Sequence, residues 1–264
     1  MSSQEIIRDV PADRVEQIVA DFAAIGAHAQ TFAQADGLFT VVATFDGSTH
    51  LSPAATESEA EALAPLPAGP DAPLPAITTS TDFAQVAPEY RAFFDTCRIA
   101  AQHAAEVKSR VSRLRDHEPR YRSLGTELGI PWFFIGIVHS LEAGSNFATH
   151  LHNGDPLTAR TTHVPEGRPA AGNPPFTWEA SARDAMAIKG YTGQTDWSVA
   201  RILHRWEAYN GFGYRRRGLA SPYLWSFSQH YEKGRFVADH VFDPESVSKQ
   251  CGAAVLLKAL QSGT

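Results

Sequence analysis

The chain has 264 residues, a formal net charge of −6 and 43% hydrophobic residues. This length provides one large domain or two smaller ones with a buried core. The acidic balance excludes the dense basic face of a nucleic-acid-binding protein. The two cysteines, Cys97 and Cys251, lie far apart and exclude a disulfide framework.

No export or membrane-spanning signal is visible in the sequence. The N-terminus lacks a basic stretch followed by an apolar one. The longest apolar run, 130–138, is shorter than the ~20 residues that cross a bilayer. We therefore expect synthesis in the cytoplasm without a signal peptide, no stable membrane insertion and no nucleic-acid partner.

Residues 1–46 are predicted to form a small α+β module. The segment EIIRDV is typical of a strand, and PADRVEQIVADFAAIG has apolar residues at helical spacing with a glycine at its end. HAQTFAQ and GLFTVVATF then flank ADG, which indicates a hairpin. The order is β-α-β-β, and we expect a wall-binding or interaction role. Residues 47–82 are rich in proline and alanine, which predicts a linker.

Residues 83–264 are predicted to be a mainly α domain containing a small β-hairpin. Helical periodicity runs over 88–117 and 119–129. The next helix, 131–144, begins with a proline and ends with a glycine. Residues 146–176 interrupt the pattern and predict a hairpin with a loop. Three further helices are predicted in TWEASARDAMAIKG, WSVARILHRWEAYNG and SVSKQCGAAVLLKALQ.

Glu142 is the first candidate for chemistry. It stands at the end of the apolar run IPWFFIGIV and its extension HSL. Burial and the negative end of a helix dipole both disfavour a charged carboxylate, so we expect a protonated side chain that serves as a general acid. The alternative is a glutamate that points into solvent at a helix end.

Asp155 supplies a second carboxyl group. It lies in HNGDPL, where a turn is predicted, and we expect it to be solvated and ionised. Two carboxyl groups with contrasting environments suit glycoside hydrolysis, in which one protonates the leaving oxygen and the other activates water. Thr161 is placed to hold that water by its hydroxyl. The alternative for Asp155 is an ordinary turn residue.

The order of Glu142, Asp155 and Thr161 resembles the Glu–Asp–Thr triad of phage-type lysozymes, which are inverting muramidases. LEAGSNF is similar to the segment around the catalytic glutamate of lytic transglycosylases and goose-type lysozymes, and EAYNGFGY is similar to their sugar-cleft motif. PWFFIGIVHSLEAGSNFATHLHNGDPLTART with VPEGRP resembles a bacterial and phage family of predicted peptidoglycan hydrolases. The resemblance covers roughly 85–260.

This resemblance implies a lysozyme-like fold and cleavage of peptidoglycan glycan strands outside the cytoplasm, reached by an unidentified export or release route. No cofactor and no metal are implied. Arg215 to Arg217 are candidates to meet carboxylates of the wall polymer, or are a surface run. The residues expected to contact the saccharide are His150, His152, Asn153, Tyr209, Asn210, Tyr214 and Tyr223.

Other functions stay open. His150, His152 and Asp155 together form an acceptable zinc set, to which His139 and Glu142 could add ligands, so a zinc-dependent peptidoglycan peptidase or amidase is one alternative. A lytic transglycosylase needs no second carboxylate, and a non-catalytic glycan-binding protein needs no acid. Asp239 is the reserve candidate for the second carboxylate.

Overall fold

A computed structural model describes residues 3–24, 27–34, 37–45, 74–238 and 240–263. Contacts group the chain into two compact units, the first made of Met1–Thr56 with Arg113–Thr195, and the second of Glu57–Ser112 with Asp196–Thr264. The secondary structure is mainly α with small antiparallel sheets, which confirms the coarse fold class. Most of the predicted linker lies outside the described residues, so the predicted domain division stays a prediction.

The N-terminal part has the predicted order of elements. Strand β1 (Ser3–Val10) is followed by helix α1 (Ala12–Ala24), strand β2 (His28–Ala33) and strand β3 (Phe39–Phe45). The sheet is antiparallel in the order β1-β3-β2, with Ile6 and Gln30 both opposite Val42.

Alternating side chains of a strand point to opposite faces, and one face of this sheet is buried. Val41 and Ala43 on β3 are fully buried, as are Ile18 and Phe22 on α1, which is in contact with β2 and β3. This small core follows from the apolar spacing of α1 and the alternation along β3.

The remaining elements follow in chain order. Helices α2 to α9 are Phe83–Thr96, Ala104–Asp116, Glu118–Leu128, Trp132–Ala143, Trp178–Ile188, Val199–Asn210, Pro222–Trp225 and Ala253–Gln261, and strands β4 and β5 are Arg235–Ala238 and Val241–Asp243. None of the described helices is by itself long and apolar enough to cross a membrane. Helices α4 and α5 meet the length and composition criteria only as a pair, and a bend of 117° separates them.

Helix α5 forms the centre of the first unit. Every residue from Trp132 to Leu141 is buried, and Gly144 ends the helix in the left-handed conformation (φ 59°). Helix α4 packs against it: a Cβ added at Gly136 would lie 3.0 Å from the ring of Tyr121. The glycine inside this helix therefore permits a close approach that alanine would hinder.

Two parts of the second unit differ from the sequence prediction. The helix expected over 88–117 is interrupted after Thr96, where the Ala100 N–H donates to the Phe227 carbonyl (2.9 Å) and Ile99 bridges Ser228. The last helix begins at Ala253 rather than near 246. In the first case, contacts with residues more than 120 positions away override the local helical pattern.

Candidate functional site

Glu142 lies in the last turn of α5, where the helix reaches the surface of the first unit. Its side chain is half-buried, so the expected enclosure by apolar groups is only partial. The Glu142 charge interacts with Lys189 and opposes the lowering of the Lys189 pKa that burial causes. A Cβ added at Gly154 would lie 3.4 Å from the Glu142 carbonyl oxygen. The turn that carries Asp155 therefore packs against the end of α5.

His139, one turn before Glu142, holds the segment that follows the helix. Its Nδ1 is 2.9 Å from the Tyr121 hydroxyl, and its Nε2 is 3.2 Å from the carbonyl oxygen of Asn146. The ring also packs on Trp178 and Phe147, at centroid distances of 4.7 and 4.6 Å. Burial lowers the pKa of His139 to about 3, so the imidazole is neutral at neutral pH.

Asp155 is buried, which differs from the solvated carboxylate that the turn sequence predicts. It is nevertheless ionised, because hydrogen bonds replace the lost water. The backbone N–H groups of His163 and Thr162 donate to Oδ2 at 3.0 and 2.7 Å, and His163 Nδ1 lies 2.6 Å from Oδ1. These donors, with the His163 N–H first among them, hold the pKa of Asp155 well below its usual range.

Asn153 and Thr161 also direct their polar atoms into the same loop. The Asn153 amide donates to Asp155 Oδ2 (3.2 Å) and to the His163 carbonyl (3.0 Å). The Thr161 hydroxyl donates to the Pro165 carbonyl and accepts the Arg168 N–H at 2.9 Å. The hydroxyl expected to hold water is thus part of the internal bonding of the loop.

His150 and His152 face helix α6 rather than a common metal position. His150 Nδ1 is 2.9 Å from the Ser181 hydroxyl, and His150 Nε2 is 2.8 Å from the Ala159 carbonyl. His152 Nε2 is 2.8 Å from Asp184 Oδ2. In the part of the chain that the structure describes, which includes both histidines and Asp155, no three side chains are arranged to hold a metal ion. The zinc alternative receives no support from this geometry.

Ser181, His152 and Asp184 are connected in the order nucleophile, base and carboxylate. The Ser181 hydroxyl is 3.3 Å from His152 Nδ1. However, Ser181 is fully buried, and its oxygen also accepts the Leu151 N–H at 3.2 Å. Asp184 is bound by the guanidinium of Arg168 at 2.7 and 2.8 Å. A serine without access to substrate is no nucleophile, so this network fixes the loop onto α6.

Four residues of these networks were not predicted from the sequence: Ser181, Asp184, Arg168 and His163. Ser181 and Asp184 are three positions apart and therefore share one face of α6, which was the available signal. Nothing in the local sequence indicates that this face meets His150 and His152, because the contacts span about 30 residues.

The second unit contains the predicted saccharide-contact residues around Tyr209. Tyr209, Tyr214 and Tyr223 are nearly buried, whereas Asn210 is exposed. Asn210, Tyr214 and Tyr223 line one cavity of about 390 Å³. These residues belong to the second unit, and Glu142, Asp155 and Thr161 belong to the first.

Arg215 is not available to a wall polymer. Its guanidinium Nη2 lies 2.8 Å from Glu89 Oε1 and 3.1 Å from Glu207 Oε2, and all three side chains are buried. Tyr90 donates a further hydrogen bond to Glu207. Arg216 and Arg217 are exposed. The first arginine of the run is therefore structural, because it compensates two buried carboxylates.

A cavity of about 530 Å³ in the first unit lies beside the segment after Glu142. Asn146 and Phe147 form part of its wall, and Ile6 and Arg8 of β1 form another part. The side chain of Glu142 is not among the residues that line it. Asp239 lies outside the described residues.

Comparison with known proteins finds no matching family model, no matching curated protein and no matching solved structure.

Proposed function

We propose that this protein cleaves glycosidic bonds in the glycan strands of peptidoglycan, with Glu142 as the proton donor. The observation that carries the proposal is the position of Glu142, half-buried at the end of the buried helix α5 and next to a turn that bears an ionised carboxylate. The choice of peptidoglycan, and of a site of action outside the cytoplasm, is supported by the resemblance of LEAGSNF and its flanking residues to wall-lytic enzymes.

The proposed reaction begins with proton transfer from Glu142 to the glycosidic oxygen. The bond between that oxygen and the anomeric carbon breaks as the proton arrives, and positive charge develops on the sugar ring. In hydrolysis, water adds to the anomeric carbon and releases a proton to bulk water, and the Glu142 carboxylate takes up a proton again before the next cycle. A fixed anionic group such as Asp155 would stabilise the positive ring electrostatically without itself accepting a proton.

The reaction of a lytic transglycosylase is the other route to cleavage, and the bonding of Asp155 favours it over hydrolysis. A carboxylate whose pKa is held far below its usual range is a weak base. Its oxygens and the hydroxyl of Thr161 are bound within the loop. In transglycosylation the 6-hydroxyl of the sugar attacks the anomeric carbon and returns its proton to Glu142, so one carboxyl group suffices.

The test is the substitution Glu142→Gln, which keeps the size of the side chain and removes the transferable proton. We expect the release of soluble fragments from purified sacculi to fall by about 10²–10⁴-fold, the usual contribution of a general acid. Glu166→Gln is the matched control, because Glu166 is an exposed glutamate of the same unit. We expect its rate to remain within about twofold of the wild-type rate.

Two outcomes would contradict the proposal. Equal rates for Glu142→Gln and the unsubstituted protein would reject Glu142 as the acid. Binding to sacculi with no fragment release by the unsubstituted protein would instead favour the non-catalytic glycan-binding alternative.

A further inference from the structure

The cavity of about 390 Å³ in the second unit has polar walls drawn from four segments of the chain. Its volume falls within the roughly 300–1,000 Å³ of small-molecule sites. The wall includes six residues with polar side chains that could contact a ligand: Asn210, Tyr214, Tyr223, Arg235, Ser248 and Gln250.

Arg235, on strand β4, is the arginine that lines this cavity. Its Nε donates to the Ser246 hydroxyl at 3.1 Å, which fixes the plane of the guanidinium group. Among the described residues, no hydrogen bond or ion pair involves the two terminal nitrogens. The residue opposite on β5 is Asp243, but its Oδ1 accepts the backbone N–H groups of Glu245 and Ser246 at 2.9 and 3.3 Å. The terminal nitrogens of Arg235 therefore keep their hydrogen-bond donors for a ligand that enters the cavity.

Neutral hydrogen-bonding groups lie in the same wall. Asn210 is exposed at the end of α7, and its amide has no hydrogen-bond partner in the described ranges. The Tyr214 hydroxyl accepts the Phe236 N–H at 3.0 Å and keeps its own proton to donate. Tyr223 adds a nearly buried aromatic ring. An amide, a phenol and an aromatic face are groups that recognise the hydroxyls and the apolar face of a sugar.

We propose that this cavity binds a saccharide bearing a carboxylate, and that Arg235 is the residue that recognises the carboxylate. The planar guanidinium matches a carboxylate with two parallel hydrogen bonds, which an ammonium group cannot reproduce. The choice of sugar rests on the proposed function, because N-acetylmuramic acid is the carboxylate-bearing sugar of peptidoglycan. The requirement for a carboxylate rests on Arg235 alone.

Two monosaccharides test this inference, because N-acetylmuramic acid carries a lactyl carboxylate and N-acetylglucosamine does not. Binding is measured by titration calorimetry or ligand-observed NMR on the full chain, since a free monosaccharide has no glycosidic bond to cleave. We expect Arg235→Gln to weaken binding of N-acetylmuramic acid by about tenfold to a hundredfold, the usual loss of a hydrogen bond to a charged group. Binding of N-acetylglucosamine should be unchanged.

Two further variants serve as controls for the effect of Arg235→Gln. Arg91→Gln removes the same charge from an exposed arginine of the same unit that lies outside the cavity, and it should leave both affinities unchanged. Arg235→Lys keeps the charge and loses the planar fork, so its affinity for N-acetylmuramic acid should be intermediate. It also provides the answer if Arg235→Gln fails to fold.

Equal affinity of the unsubstituted cavity for the two sugars would overturn the inference. An equal loss for both sugars in Arg235→Gln, or the same loss of N-acetylmuramic acid binding in Arg91→Gln, would overturn it as well. Binding of glucuronic acid, but not of N-acetylmuramic acid, that depends on Arg235 would support the carboxylate site and contradict the proposed peptidoglycan substrate.

Discussion

The two carboxyl groups near the end of helix α5, those of Asp155 and Glu142, differ in burial and in hydrogen bonding. Asp155 is buried and accepts hydrogen bonds from the backbone of Thr162 and His163 and from the side chain of His163. Glu142 is half-buried, at the point where a fully buried helix reaches the surface. The hydrogen bonds of the first group stabilise the fold, and the second is the group to which we assign proton transfer in the proposed reaction. Substitutions should therefore separate stability from activity at these two sites.

The largest loss of stability is expected for Asp155→Asn. The substitution removes a charge that accepts several hydrogen bonds, and we expect the free energy of unfolding to fall by about 2–3 kcal/mol. Glu142→Gln should change it by less than about 0.5 kcal/mol, as is usual for a substitution of equal size at a partly exposed position. Urea denaturation of both variants measures the difference. Equal losses of unfolding free energy in the two variants would show that Asp155 is no more important to the fold than Glu142.

The next effect concerns pH and His139. Its pKa is lowered by burial from 6.5 to about 3. Between these values the unfolded chain binds a proton that the folded chain does not, so the free energy of unfolding falls as pH falls from about 6.5 towards 3. His139 contributes up to about 1.4 kcal/mol per pH unit to this slope.

Replacement by a residue that does not titrate tests the contribution of His139. His139→Gln should reduce the slope of unfolding free energy against pH below pH 6.5, measured by denaturation at several pH values. An unchanged slope would show that this imidazole is accessible to protons in the folded state.

A smaller loss of stability than that of Asp155→Asn is expected at Thr161. Thr161→Val leaves the Arg168 N–H and the Pro165 carbonyl without their partner, which should cost about 1–2 kcal/mol of stability. Thr161→Ser keeps the hydroxyl and should cost less. Cleavage per folded molecule should remain close to the unsubstituted rate in both. If Thr161→Val instead abolishes cleavage while Thr161→Ser keeps it, and stability is unchanged, the hydroxyl positions water as the sequence suggests.

The sequence predicted the segments whose limits are set by local chemistry. Helix α5 occupies Trp132–Ala143 within the predicted 131–144, because Pro131 precedes its first turn and Gly144 adopts the left-handed conformation that ends it. The β-α-β-β order at the N-terminus was predicted in the same way, from periodicity and from the turn-forming sequence ADG.

Features decided by distant contacts were not predictable from local patterns. Arg215 belongs to a surface-like run, yet it pairs with Glu89, 126 positions earlier. His150 and His152 alternate like metal ligands, but they meet Ser181 and Asp184 on α6. The hairpin of β4 and β5 was also missed. Its strands have only four and three residues, too few for a clear alternating pattern.

The proposed chemistry makes a direct prediction about the products from purified peptidoglycan. Mass spectrometry of the soluble fragments should show glycan strands cut between sugars. We expect 1,6-anhydro ends, because Asp155 and Thr161 are bound within their loop and neither is available to activate water. A fragment with a 1,6-anhydro end is lighter by one water than the fragment with a reducing end that hydrolysis produces. Reducing ends would show that the reaction is hydrolysis and that Asp155, or another base, activates the attacking water. Intact glycan strands with only peptide or amide bonds cut would contradict the account as a whole.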